Sequence, residues 1–367
     1  MNDLFRYFLY LGATGFGGPL MLIQQMREHY VSETSQMTAV EFDQTFTLIK
    51  AMPGPIAFQM AVFLGNRYFG FRGGLAAGFA FLLPSFLMML VFGYFYSYFV
   101  SFSFIHPILD GFLFSVSAVI LISLKSLVIS NYRHLIFGPL VLLDMFLSWK
   151  NAAPEPVLIV GFGLLTIILM KHSDRLKLFS TAFFFVDWPA VLELFKICLV
   201  SGAVVFGTGL ALIPVLKTSF VDVHQWLTLK EFSDGVIFGQ MSPGPVTITG
   251  AFLGYQISGL AGALAAVLGI FFMPFVHMVT WFPRAVGWLS RQTWIADFLV
   301  GATAAVVGSI LVTLLVMNKT SFNNPMFWLI FISSFFIMIK KPKTAIVLLI
   351  LVSGLVNLLS FAAFNAI

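Results

Sequence analysis

The stretch Met52-Pro53-Gly54-Pro55 returns 190 residues later as Ser242-Pro243-Gly244-Pro245, each copy set among apolar residues. A Pro-Gly-Pro triplet cannot continue an α-helix: proline lacks the backbone donor and clashes with the preceding turn, and glycine admits left-handed backbone. The second proline suits the first position of a new helix, where its missing N–H does no harm. Each copy therefore predicts a helix end, a tight turn and a fresh helix start.

The surroundings of these breaks are those of a membrane protein. Of 367 residues, 59% are hydrophobic and 10% charged, against roughly 25% charged in soluble domains. Apolar runs of spanning length recur throughout, so composition excludes a soluble enzyme and predicts an all-α polytopic membrane protein. In lipid, irregular backbone survives only where protein or a water-filled cavity shelters it. Two breaks in matching places therefore point to a transport site. The N-terminal stretch Met1 to Tyr10 lacks a cleavage-site pattern and reads as a retained span. Cys198, the single cysteine, excludes an intrachain disulfide, and the six histidines show no metal-ligand spacing. No cofactor or metal is implied. The net charge is +5, but the basic residues sit in short loops, with no run suited to nucleic acid.

The chain is an internal duplication. A shift of 190 aligns Gly12-Ala13 with Gly202-Ala203, Phe16-Gly17 with Phe206-Gly207, Glu41-Phe42 with Glu231-Phe232, and the two triplets with each other. A one-residue slip then matches Phe63-Leu64-Gly65 with Phe252-Leu253-Gly254. Pro84 is paired with Pro274, predicting matching kinks. The first repeat is read as 1–177, a cytoplasmic linker as 178–188 and the second repeat as 189–367. Capping boxes are expected at Thr38-x-x-Glu41 and Thr228-x-x-Glu231. Four fuller spans are expected after each break, about ten full spans in all with broken or re-entrant half-helices.

Charge placement gives orientation. The span near 73–97 begins at Arg67 and Arg72 and ends in an uncharged loop, whereas its partner begins at uncharged Ser258-Gly259-Leu260 and ends at Arg284 and Arg291. The repeats thus read as inverted in topology. Inversion needs an odd number of crossings per repeat, so part of the glycine-rich region should be re-entrant.

Half-helix starts carry orphan N–H groups and the positive end of a dipole, which together suit an anion. After Pro55 the donors are the amides of Ile56, Ala57 and Phe58; after Pro245 they are those of Val246, Thr247 and Ile248. Lys50, Gln59, Gln240, Ser242, Thr247 and Thr249 lie nearby in sequence. Gly17-Gly18-Pro19 and Gly207-Thr208-Gly209 would bring two more breaks to the same depth, or serve close helix packing. Gly74 and Gly78 read as packing. For one copy alone, Pro-Gly-Pro could be an ordinary loop; two at one offset favour a substrate site. Lys50, where the other repeat has Gln240, either meets substrate at membrane depth or snorkels to an interface. Asp144, near a helix end, reads as interfacial.

With Phe16-Gly17-Gly18-Pro19, Met52-Pro53-Gly54-Pro55 and Gln240-Met241-Ser242-Pro243-Gly244-Pro245 in view, the chain resembles the chromate ion transporter family in its two-domain form. The family's Phe-Gly-Gly-Pro and Pro-Gly-Pro motifs map onto Phe16 to Pro19, Pro53 to Pro55 and Pro243 to Pro245, and its glutamine onto Gln59. The chain departs at Ile56, Leu22 and Thr208, where glutamate, glutamine and glycine are common. The resemblance implies a secondary transporter in the plasma membrane exporting chromate, with the bilayer and a small inorganic oxyanion as partners. A homo-oligomer is left open. A dianion leaving an inside-negative cell gains about 4.6 kcal/mol per 100 mV, at roughly 2.3 per charge. No buried acidic relay is evident, which favours efflux driven by potential alone. Sulfate or other small-anion uptake or exchange is the alternative. A passive channel stays open, and no catalytic constellation suggests an intramembrane enzyme.

Overall fold

The computed structural model describes residues 1–170, 190–205, 209–289, 292–340 and 346–365, and among these it is helical throughout, with no strand. The expected linker 178–188 lies outside the described residues. In order come α1 (Asn2–Thr14), α2 (Pro19–Arg27) with a π-helical extension (Glu28–Glu33), α3 (Ala39–Lys50), α4 (Ile56–Val100), α5 (Ile105–Asn131), α6 (Phe137–Trp149) and α7 (Glu155–Leu169). The second repeat follows with α8 (Ala190–Val204), α9 (Leu212–Lys217) with its own π-helical extension (Thr218–Val223), α10 (Leu229–Met241), α11 (Thr249–Val279) and α12 (Phe282–Leu289). It ends with α13 (Trp294–Met317), α14 (Pro325–Lys340) and α15 (Ile346–Asn365).

The 45 residues of α4 would measure about 68 Å if straight, roughly twice the hydrocarbon thickness. They do not run straight. Phe69 and Gly70 leave helical backbone, and the chain doubles back, so that a Cβ on Gly65 would lie 2.3 Å from the Gly73 carbonyl oxygen. The first arm, 56–68, thus packs antiparallel on the second, 71–100. Gly74 and Gly78 lie on this seam, against Val62 and Phe58, in the packing role expected of them. The same hairpin recurs in α11, turning at Ser258 and Gly259, with Gly254 on Gly262. Pro84 and Pro274 stay within helical backbone, so the reversals fall at these glycines and not at the expected proline kinks. The one-residue slip also persists: Gly244 faces Ser85 where Gly54 faces Pro274, making Ser85 the counterpart of Pro274.

Both interrupted segments are re-entrant. The Tyr7 hydroxyl on α1 donates to the Gln25 carbonyl, and its ring stacks on His29, so α2 returns alongside α1. Arg67 pairs with Glu41 at 2.6 Å and the Tyr68 hydroxyl donates to the Gln36 carbonyl, so the first arm of α4 returns alongside α3 with the Pro-Gly-Pro at the tip. Both pairs end on the face where they begin. The odd crossing required by the charge pattern therefore does not come from the glycine-rich region.

The two repeats run in opposite directions. Asn66, beside the α4 turn, donates to the Met278 carbonyl at the far end of α11; Gln256, beside the α11 turn, donates to the Gly93 carbonyl toward the far end of α4. We call the face bearing the α4 turn the first face, and that bearing the α11 turn the second. Thr228 and Glu231 complete a capping box on α10, whereas Thr38 caps α3 and Glu41 turns to Arg67.

The repeats also exchange their last helices. α6 and α7 pack on α13, and α14 and α15 pack on α5. Gly301 of α13 meets Phe162 and Thr166 of α7, and Asn357 of α15 donates to the Pro107 carbonyl of α5. Five described segments are long and apolar enough to cross a bilayer: Ile56–Val100, Ile105–Asn131, Val246–Val279, Trp294–Met317 and Ile346–Ala363. α6, α7 and α14 are shorter apolar helices.

Two outcomes follow. Arg72 and Leu260 are exposed beside the two turns, and Cys198 is buried. An impermeant maleimide should label Arg72→Cys and Leu260→Cys from opposite sides in right-side-out and inverted vesicles; labelling of both from one side would exclude inversion. A Cβ on Gly202 would sit 2.1 Å from the Ile270 carbonyl oxygen, so Gly202→Val should cost about 2 kcal/mol or more, read as a lowered thermal midpoint in detergent.

Candidate functional site

Each Pro-Gly-Pro tip reaches across to the other repeat. The Gly54 amide donates to the Val205 carbonyl at 2.6 Å, and the Gly244 amide donates to the Gly15 carbonyl at 3.0 Å. Subtracting the repeat offset turns one bond into the other: 244 becomes 54, and 205 becomes 15. Each Pro-Gly-Pro tip is thus tied to the end of the first helix in the opposite repeat. Gly54 (φ 126°) and Gly244 (φ 81°) hold left-handed backbone that no larger residue adopts without strain. A Cβ there would also run into Pro274 or crowd Ser85. Ser85 stands midway along the second arm of α4, about 21 Å from either end at 1.5 Å per residue. The tips therefore lie deep inside the protein, between the two faces, each bonded across to the opposite repeat.

Proline opens the new helices as expected. Gln59 N–H makes the first helical bond to the Pro55 carbonyl, leaving the amides of Ile56, Ala57 and Phe58 at the tip. On the other side Ile248 N–H bonds to the Pro245 carbonyl through a single 3-10 turn, leaving those of Val246 and Thr247. A third half-helix, α2, starts at Pro19. The Ile248 amide, counted as a free donor in the sequence, is spent.

The side chains divide. Gln59 is fully buried, and its Nε2 donates to the Pro53 carbonyl at 2.7 Å, bracing the tip; its Oε1 has no partner among the described residues. Thr247 is 2% exposed, and its hydroxyl likewise has no partner among them. Gly209 lies against the Thr247 methyl. The Ser242 and Thr249 hydroxyls are turned back onto the Gly239 and Val246 carbonyls. Pro55, Pro243 and Pro245 are buried, Pro53 and Gln240 half-buried, Gly18 and Pro19 partly exposed, and Gly17 exposed. Gly207 and Thr208 lie outside the described residues.

Lys50 is exposed in the last turn of α3. Asp43, Gln44 and Thr47, on the same helical face, are exposed too. Their counterparts Ser233, Asp234 and Ile237 on α10 are buried, as α10 packs on α5, α13 and α15. The structure is thus asymmetric where the sequence repeats. On the second face α10 is tied to the first repeat: the Tyr96 hydroxyl donates to Asp234 at 2.7 Å, and Lys230 pairs with Asp110 at 3.2 Å. On the first face the counterparts of Tyr96, Asp234 and Lys230 are Ala285, Gln44 and Val40, which cannot make these bonds; α3 is held there by Arg27–Asp43 at 2.9 Å and Arg67–Glu41 at 2.6 Å.

Sequence reasoning missed this tie, because Tyr96 and Asp234 are 138 residues apart. It also placed Asp144 at an interface, whereas Asp144 is fully buried against α13 together with Glu155 of α7. The expectation that no acidic pair lies buried is thereby overturned. Glu155 follows Pro154 at the start of a helix, which in sequence resembles an ordinary exposed first-turn acid.

Comparison with known proteins agrees with this architecture. The profile of the chromate transporter family matches residues 2–168 and again 192–358. A probable chromate transport protein of Synechococcus elongatus is 30% identical, covering 97% of this chain and 95% of its own. A chromate transport protein of Cupriavidus metallidurans is 32% identical over 88% of this chain and 83% of its own. One from Pseudomonas aeruginosa is 27% identical over 98% and 92%. No solved structure matches. With two copies of the family's profile, nearly full-length relatives and a helical membrane fold, the chain belongs to the chromate transporter family.

Proposed function

We propose that this chain is a secondary carrier of a small tetrahedral oxyanion, chromate foremost, exporting it across the plasma membrane. The observation that carries this reading is the pair of buried half-helix N-termini, one from each of two opposed repeats, each tied to the other repeat by a backbone bond. The chain's relatives, named as chromate transport proteins, point to the same substrate. The division into 1–177, 178–188 and 189–367 is part of this proposal.

The donors are the amides of Ile56, Ala57, Phe58, Val246 and Thr247, with the Thr247 hydroxyl. The Gly54 and Gly244 amides already serve the opposite repeat and hold the tips rigid. Preformed donors suit a dianion because they need no reorganisation when it arrives. Gln59 acts as a brace. Lys50 supplies charge along the approach, on the polar face of α3 with Thr47. The Gly17-Gly18-Pro19 break and Gly209, which lies against Thr247, complete the walls, with Gln240, Ser242 and the flanking prolines shaping the second tip; Gly207 and Thr208 are assigned to the site on their sequence alone.

Arg67, Arg72 and Arg284 gather on the first face, and the positive-inside rule assigns that face to the cytoplasm. The open polar face of α3 then lies on the cytoplasmic side, and the tied face outside. Inverted repeats alternate by exchanging conformations. In the outward state α3 packs as α10 does here, and α10 swings free as the Tyr96–Asp234 bond breaks.

Two variants test the site. Thr247→Val keeps the shape but removes a hydroxyl that would bond a charged ligand, worth about 1.5–3 kcal/mol, so chromate affinity should fall about 10- to 100-fold. Lys50→Ala should weaken chromate transport at unchanged thermal stability; normal transport by it would remove Lys50 from the pathway. Both are read as radiolabelled flux in oriented proteoliposomes at imposed potential, with sulfate, molybdate and phosphate as competitors. Sulfate uptake that exceeds chromate export would replace this reading.

A further inference from the structure

Away from the tips, α6, α7 and α13 enclose a cluster that the anion site does not use. Asp144 on α6 is 0% exposed and Glu155 on α7 is 5% exposed. Ser309 of α13 lies between them, its Oγ 3.0 Å from Asp144 Oδ2 and 2.5 Å from Glu155 Oε2. The Ser148 Oγ lies 3.3 Å from Ser309 Oγ and 3.4 Å from Asp144 Oδ2.

Hydrogen counting limits what this cluster can hold: two hydroxyl hydrogens serve two carboxyl groups, with none to spare. A hydroxyl carries one hydrogen. Ser309 can donate to Asp144 or to Glu155, but not to both. The Ser148 hydrogen reaches Asp144 or Ser309, and Ser148 also lies within bonding range of Glu155, so it can serve only one of the three at a time. If Ser309 donates to Asp144, its contact with Glu155 needs a hydrogen on the Glu155 carboxyl. If Ser309 donates to Glu155, then Asp144 can only be satisfied fully by Ser148 at the longest of these distances, or by a proton of its own. Two like charges one hydroxyl apart in a buried site are costly, and a shared proton removes one of them. A second observation points the same way: Asp144 Oδ1 is buried with no partner among the described residues, a vacant acceptor beside the pair.

The pair is also reachable. Glu155 lines a cavity of about 690 Å³ with Glu193, Lys196, Ser201, Asp222 and His224. This cavity lies between the α6–α7 connection, α8, and α9 with its π-helical extension, and Val223 at its rim is exposed. The charged groups facing Glu155 across it are largely matched: Lys217 pairs with Asp222 at 2.7 Å, and His224 lies 3.8 Å from Glu193 on α8. Lys196 is also on the α8 wall, and Lys150 lies in the α6–α7 connection.

We infer that Asp144 and Glu155, bridged by Ser309, form a proton-exchange site loaded from this cavity, and that its occupancy sets how firmly the α6–α7 hairpin holds α13. Loss of the shared proton leaves two buried negative charges facing one another across α13, which drives the hairpin and α13 apart. α6 and α7 belong to one repeat and α13 to the other, so the site acts on the relative position of the two. Coupling to anion movement rests on the carrier reading above; proton binding does not.

The test uses the purified full chain in two arms. In the first, infrared difference spectra between acidic and neutral pH should show a protonated-carboxyl C=O band that Glu155→Gln or Asp144→Asn removes or shifts, with thermal midpoints confirming that the variants fold. Absence of such a band in the wild type, or a band untouched in both variants, overturns the site. In the second, chromate accumulation in proteoliposomes is measured at clamped potential. A pH gradient of one unit should change the wild-type accumulation ratio about tenfold per coupled proton, and Glu155→Gln should abolish that response. A band with no response to the gradient overturns the coupling alone. A response to sodium at constant pH in place of protons overturns the proton as ligand. If chromate is not carried at all, the carrier reading fails while the infrared arm still decides the site.

Discussion

Backbone in a bilayer has no water to satisfy its polar groups, and each orphan costs several kcal/mol. Here the two Pro-Gly-Pro breaks lie at depth, and the protein settles part of their needs by trading bonds between repeats. Gly54 N–H goes to the Val205 carbonyl and Gly244 N–H to the Gly15 carbonyl. The rest of the fold serves this exchange. Each tip reaches the opposite repeat because both interrupted segments are re-entrant and the long arms they lean on run antiparallel. The first helices come close enough because Gly12 and Gly202 lie directly on the Phe81 and Ile270 carbonyls. Glycine is required at these points by contact, and at the two tips by backbone sign as well.

Once satisfied in this way, the centre is nearly symmetric, and function depends on where symmetry fails. Asp234, Tyr96 and Lys230 have no counterparts at Gln44, Ala285 and Val40. The tie on the second face, which joins Tyr96 and Asp110 of the first repeat to Asp234 and Lys230 of the second, therefore has no symmetric copy, and α3 keeps its polar side exposed. A carrier needs two states of similar energy; unequal repeats bias which of them is occupied at rest. The exchanged outer helices make this bias a property of the whole chain, since α6 and α7 hold α13 while α14 and α15 hold α5.

Much of the fold was legible in the sequence because glycine and proline leave a record that apolar composition does not blur. The offset of 190, the two triplets and the inverted charge pattern all correspond to features of the structure. The helix reversals were less visible. Phe69-Gly70 and Ser258-Gly259 carry a single glycine each, whereas Pro84 and Pro274 drew attention but sit in helical backbone. The tips were legible as a place, but their hydrogen bonds were not: nothing local says that Gly54 is spent on Val205 or that Gln59 bends back to Pro53. Contacts between residues far apart in sequence, such as Tyr96 with Asp234 and Asp144 with Glu155 through Ser309, leave no periodic trace. Lys50, chosen for its charge, is exposed on the open face, while the unpaired hydroxyl at the tip belongs to the less conspicuous Thr247.

The central claim is that an oxyanion rests between the opposed tips. Anomalous scattering from chromium in crystals grown with chromate tests it most directly. The account predicts a peak between the Ile56–Phe58 amides and Thr247, level with Ser85. A chromium site at either surface, with the two tips parted and the Gly54–Val205 and Gly244–Gly15 bonds absent, would contradict it.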